Sequence, residues 1–329
     1  MTKIWNGYWA LMWGVSLVYC TKGDIMLETR ESASTSVPMS IGIAQAEASS
    51  DAIKPKSKPL ADSQNQAAAA SPPADSLGGT DPDHFYPVFM MALKDRTLPK
   101  STLRDAKGQI YQFISDASSI QMIGAKQSNL GSYRISTGTG VSGIHLQTPH
   151  GESDLQTRKI GELLCIEQSY ESCATNTWHR RSFDFAHETI SPFQTFTRAI
   201  VSKDPKALIV QLHGFEGGKR RGVREQNAKM ILSIGSDSAL LQAALKALHL
   251  DQDPSILVYG EGTRDLGAMR NAQRQLISSV GKGHFLHIEM SLPLRERLAS
   301  DRKEREQLND IIREVKKKFY DEAKLSTRP

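Results

Sequence analysis

Ala207-Leu208-Ile209-Val210-Gln211-Leu212-His213-Gly214-Phe215 is the stretch that decides the fold. Its apolar part, Ala207 to Leu212, has the length and composition of a buried strand. Working outward, Val141 to Gln147, Met230 to Ile234, Ser255 to Tyr259 and Phe285 to Met290 repeat the pattern. Stretches of helical periodicity lie between them: Leu155 to Tyr170, entered through Ser153-Asp154, then Ser238 to Leu248, then Leu266 to Val280. Such alternation predicts an α/β fold in which a mostly parallel, mixed sheet is flanked by helices. The last stretch, Leu298 to Leu325, sets Leu308, Ile311, Ile312, Val315 and Phe319 on one face of a charged helix, which should pack on the domain edge.

The chain divides into three parts. Met1 to Tyr19 carries one early cation, Lys3, and then an apolar, Trp-rich run that is short for a membrane span of about 20 residues. It reads as a signal peptide or membrane anchor over 1–20, with Cys20 a candidate lipidation site. From 21 to 83 the sequence is rich in Ser, Ala, Pro and Gln, with the run Ala67 to Ala70 and the pairs Pro72-Pro73 and Gly78-Gly79. Such a stretch buries too little to offset its ordering entropy and is expected to be a disordered tether. A single domain over 84–329 follows. Export, to the periplasm or cell envelope, is the expectation, with a possible membrane tether through the amino terminus. In an oxidising compartment Cys165 and Cys173 could close a small loop, the alternative being two buried thiols.

Charge excludes one class of partner. Against 36 acidic residues stand 41 basic ones, and the excess of +5 is spread along the chain. Lys219-Arg220-Arg221 and Lys316-Lys317-Lys318 read as solvated surface, and no nucleic-acid footprint is present.

Three of the strands run into residues suited to chemistry. Val141 to Gln147 leads to Thr148-Pro149-His150-Gly151-Glu152-Ser153-Asp154, the central strand to His213-Gly214, and the last carries His287-Ile288-Glu289-Met290-Ser291. Carboxyl ends of parallel strands form the ligand crevice of open α/β sheets, so His150, His213 and Glu289 could converge there. Two imidazoles and a carboxylate make a zinc ligand set, and a further carboxylate would take a proton from water.

This order of motifs, with Thr157 after Asp154 and Arg295 after Glu289, resembles the N-formylglutamate amidohydrolase and poly-γ-glutamate hydrolase branch of the zinc-carboxypeptidase-like fold, over about Val141 to Arg297. The resemblance implies zinc (Zn2+) held by His150, Asp154 and His213, with Glu289 as general base and acid at the scissile amide. Arg295 would match a family arginine that either binds a substrate carboxylate or serves the structure. The His150 to Asp154 spacing is one residue shorter than in poly-γ-glutamate hydrolases, which leaves Glu152 as an alternative ligand. A second assignment takes His213-Gly214-Phe215-Glu216 as a His-x-x-Glu zinc pair, with His284 or His287 as third ligand, and leaves His150 idle.

Other polar residues have plainer readings. His145 lies within a strand and reads as packed. Asn176 to Arg180, with Asp184 and His187, reads as a polar loop beside the site or at the surface. Lys219 to Arg224 could clamp an anion or be solvated, and Glu261, Arg264 and Arg270 read as surface pairs. The expectation is an exported zinc-dependent amidohydrolase or peptidase acting on an acidic or γ-glutamyl-type amide. The alternative is an inactive, envelope-tethered binding or assembly module of the same fold.

Overall fold

The computed structural model of the chain describes residues 82–97, 102–104, 110–124, 131–138, 142–235 and 239–326. The amino-terminal apolar segment, Cys20 and the expected tether as far as residue 81 lie outside the described residues. Among the described residues, ten strands form one sheet: β1 (Thr102–Arg104), β2 (Ile110–Ser115), β3 (Ser119–Gly124), β4 (Ser132–Ser136), β5 (Ile144–Thr148), β6 (Ser172–Thr175), β7 (Leu208–Phe215), β8 (Met230–Ser233), β9 (Ile256–Val258) and β10 (His284–Ser291). The helices are α1 (Tyr86–Asp95), α2 (Thr157–Glu167), α3 (Pro192–Lys203), α4 (Val223–Asn227), α5 (Ala239–Ala247), α6 (Ala272–Val280), α7 (Leu292–Ser300) and α8 (Arg302–Ser326). None of them is long and apolar enough to cross a membrane.

The spatial order is β1-β2-β3-β4-β6-β5-β7-β10-β8-β9. The four central strands β6, β5, β7 and β10 are mutually parallel, β8 joins β10 antiparallel, and β9 is parallel to β8. The fold is therefore the expected α/β class with a mixed sheet. An antiparallel meander, β1 to β4, extends it on the other side of β6 and was not among the expected strands.

Successive side chains of a strand point to opposite faces. On one face Leu146, Leu208, Val210, Leu212, Leu286, Ile288 and Met290 are buried in a core shared with Ile160 and Leu164 of α2, Leu241 of α5, Leu298 of α7 and Ile312 of α8. The other face begins apolar, with Ile209 and Phe285 in a cluster with Phe89 of α1 and Phe193 and Phe196 of α3. Further along that face the apolar residues give way to Gln147, Gln211, His213, His287 and Glu289, all buried. Buried polar groups persist only when hydrogen-bonded or when they serve a ligand. Their position, towards the carboxyl ends of β5, β7 and β10, locates the site.

Candidate metal centre

Register fixes the site's floor. In the parallel ladder of β7 and β10, Glu289 lies opposite His213 and His287 opposite Gln211. His150 and Asp154 come from the turns after β5, closed by Ser153 N–H and Asp154 N–H to His150 O at 2.9 and 2.8 Å. Gly151 is required there, because a Cβ would stand 2.7 Å from Asn176 O. Asn176 holds this turn to the next loop, giving its Nδ2 to Pro149 O at 2.8 Å and to Phe183 O at 3.1 Å.

The expected cap at Ser153-Asp154 is replaced by a different arrangement. Helix α2 starts at Thr157 after Gln156 in a left-handed conformation (φ 72°), with no side-chain cap. The Asp154 carboxylate is used elsewhere: its Oδ2 accepts from Gly214 N–H at 2.8 Å, which ties the β5 turn to the end of β7. Thr157 gives its hydroxyl to Asp154 O at 2.7 Å and steadies the same turn.

His150, Asp154 and His213 converge, all buried. Nδ1 of His150 stands 3.2 Å from Nδ1 of His213 and 3.4 Å from Asp154 Oδ2, which is 3.9 Å from His213 Nδ1. Atoms held about 2.0–2.2 Å from a tetrahedral zinc ion lie roughly 3.3–3.6 Å from one another, so the spacing suits such an ion. The far side of each ring is also engaged. His150 Nε2 faces Asp184 Oδ1 at 2.9 Å, and His213 Nε2 faces Gln211 Oε1 at 3.3 Å. A carboxylate only accepts, so His150 carries a proton on Nε2, as histidine ligands with an outer carboxylate do.

Electrostatics agree with a cation at this point. Burial works against charge on His150, but Asp154 and Asp184 outweigh it and push the ring up to about 9. Burial, with His287 and His150 beside it, holds His213 well below the usual range.

Glu289 is next to this set and buried. Burial first, and then the Asp154 charge, push its carboxyl up to about 8. Among the described residues its Oε2 has no hydrogen-bond partner, and its Oε1 is 3.6 Å from His287 Nε2. Burial also brings His287 down to about 3, so this ring is neutral. His287 thus belongs to the site, its ring 4.5 Å from that of His213, although the sequence admits it only through the second assignment.

The remainder of that second assignment does not assemble. Glu216 is exposed and pairs with Lys219 at 2.7 Å, and His284 stacks on Phe319 at the opposite end of β10. Glu152 is also exposed and pairs with Arg158, apart from the buried group of His150, Asp154 and His213. His145 is packed as expected, its Nδ1 2.7 Å from Ser172 Oγ. Arg295 makes contacts of the kind that the second of its two expected roles calls for. Its guanidinium fills the place of a Cβ at Gly214 and donates to Leu155 O at 2.6 Å, Met290 O at 3.2 Å and Phe215 O at 3.5 Å. It is buried, does not line the cleft, and holds three chain segments together.

A cleft of about 370 Å³ opens over these residues. Arg180, Arg220, Arg264 and Arg270 line it, so Arg264 and Arg270 border the site rather than lying apart from it. Its wall includes Leu266 to Asn271, expected as the first turns of a helix. Helix α6 instead begins at Ala272, because Asn271 is its cap and accepts from Arg274 N–H at 3.0 Å. Leu266 and Ala268, with φ of 57° and 54°, shape this loop around Gly267.

No family model and no curated protein matches the chain. Among solved structures, the chain is similar to a gene product from Agrobacterium tumefaciens, with 13% identity over 55% of this chain and 91% of that one, at a TM-score of 0.41. It is similar also to a metallo-carboxypeptidase from Burkholderia cenocepacia, with 10% identity over 72% and 68% of the two chains, at a TM-score of 0.37. The chain is similar as well to N-formylglutamate amidohydrolase from Ralstonia eutropha, with 10% identity over 59% of this chain and 98% of that one, at a TM-score of 0.38.

Proposed function

We propose that the protein is an exported, zinc-dependent amidohydrolase or peptidase that cleaves an amide of an acidic or γ-glutamyl-type peptide. The observation that carries this reading is the meeting of three candidate ligand atoms with a buried carboxylate whose Oε2 is unpartnered among the described residues, at the floor of an arginine-lined cleft. His150, Asp154 and His213 would hold the zinc, which when bound polarises a carbonyl and makes water acidic enough to attack at neutral pH. Glu289, whose carboxyl would ionise beside the bound cation, accepts the proton of the attacking water and returns it to the nitrogen as the C–N bond breaks. The arginines of the cleft orient a substrate by its carboxylates. Export is supported by the disulfide that joins Cys165 of α2 to Cys173 of β6, a bond at home in an oxidising compartment.

The test is metal content of the purified protein alongside its His150→Ala and His213→Ala variants. About one zinc per chain is expected, lost in both variants. Glu289→Gln should keep the metal and lose roughly 10²- to 10⁴-fold in hydrolysis of γ-glutamyl amides. A folded protein that takes up no zinc would instead be the binding module of the same fold.

A further inference from the structure

Gln211 is fully buried two residues before His213, on the same face of β7. Its Nε2 donates to Gln147 Oε1 at 2.8 Å and to Gln273 Oε1 at 2.9 Å. Its Oε1 accepts from Asn271 Nδ2 at 2.7 Å and faces His213 Nε2 at 3.3 Å. An amide can be turned over without changing shape, so which end is oxygen must be decided by its neighbours. Main-chain groups, whose polarity is fixed, decide it here.

Three independent links reach Gln211. Phe185 O accepts from Gln273 Nε2 at 2.9 Å, so the Gln273 oxygen is the end turned to Gln211. Arg274 N–H donates to Asn271 Oδ1 at 3.0 Å, so the Asn271 nitrogen is turned to Gln211. Phe193 O takes the Thr197 hydroxyl proton at 3.1 Å, which leaves that oxygen to accept from Gln147 Nε2 at 2.9 Å. Each link demands the same orientation: Gln211 nitrogen towards Gln147 and Gln273, oxygen towards His213.

We propose that Gln211, oriented by Gln147, Gln273 and Asn271, is a positioning residue that fixes the His213 proton on Nε2 and so keeps the Nδ1 lone pair turned to His150 Nδ1 and Asp154 Oδ2. It rests on the reading of His213 as a metal ligand given above. Main-chain polarity in α3, α6 and the Phe185 loop is thereby transmitted through side-chain amides to one ring nitrogen. A ring free to exchange tautomers would offer the ion an N–H for part of the time and would bind it more weakly.

The experiment pairs ¹⁵N NMR of the imidazoles in the metal-free chain with zinc competition titrations, on the native protein, Gln211→Met and Gln273→Met. The native protein is expected to show His213 protonated on Nε2. Gln211→Met should mix the two tautomers and weaken zinc binding roughly 10- to 100-fold. Gln273→Met, which does not touch His213, should mix them less and weaken binding less, and it serves if Gln211→Met does not fold. Native His213 protonated on Nδ1 would overturn the proposal. So would a folded Gln211→Met that keeps the native tautomer and binds zinc within about twofold of the native protein. If the native chain binds no zinc while His213 still shows the Nε2 tautomer, it is the metal reading that fails and not the amide relay.

Discussion

At Arg295 the sequence allows a substrate contact or a structural role, and burial separates them. A guanidinium given to three main-chain carbonyls has little left for a ligand. Arg295→Met should therefore lower unfolding free energy by roughly 2–4 kcal/mol in urea titration, through carbonyls left unpaired. Normal stability with a raised KM would instead mark it as a substrate residue. His150, Asp154, His213 and Glu289 were legible in the sequence because strand ends collect them and the order of motifs has a family counterpart. Separating Asp154 from Glu152 needed the fold, which buries Asp154 against the Gly214 amide and leaves Glu152 exposed beside Arg158. Gln211 belongs to the strand-end motif Gln211-Leu212-His213-Gly214, but its role is not legible until its partners, more than sixty residues away in sequence for Gln147 and Gln273, are placed beside it.

Elements were read unevenly, for physical reasons. β8 and β9 stand out because apolar residues fill both faces, and β5, β7 and β10 because one face is apolar over most of its length. The meander is one-sided and less apolar. Ser132 to Ser136 does alternate, burying Tyr133 and Ile135, and this period of two was the signal available for β4. β6 is Ser-Cys-Ala-Thr, too small in its side chains to register. α3 had a signal in Ser191-Pro192, a capping serine with proline at the first turn.

Among these elements one ionic clasp makes stability depend on pH. Glu171, buried just before β6, accepts from Arg96 at the end of α1 at 2.7 Å and pairs with Lys203 of α3, with His145 of β5 3.9 Å away. Burial alone would raise its carboxyl, but His145, Lys203 and Arg96 oppose this and bring it down from 4.5 to about 2. The folded pKa lies below the unfolded one, so the contribution is fully present above about 4.5 and is lost as pH falls towards 2. Glu171→Gln should flatten the stability profile across that window in urea titrations. An unchanged slope would remove Glu171 as its source.

For the whole molecule, the disulfide restrains a chain segment only eight residues long in sequence separation, between α2 and β6. Loop-closure entropy for so short a loop gives about 2–3 kcal/mol. Replacing Cys165 and Cys173 together by serine should lower stability by that amount and leave metal content unchanged. Loss of the metal in the folded double variant would show that the bond shapes the site itself.

β6 is also the seam of the sheet, parallel to β5 on one side and antiparallel to β4 on the other. The candidate ligand atoms, Glu289 and the amides behind them all lie on the β5 side of that seam or in loops joined to it. Sequence change in the meander is thus screened from the chemistry by a whole strand. Variation there should be felt as how many folded molecules a cell keeps, and variation beyond the seam as how well each one works.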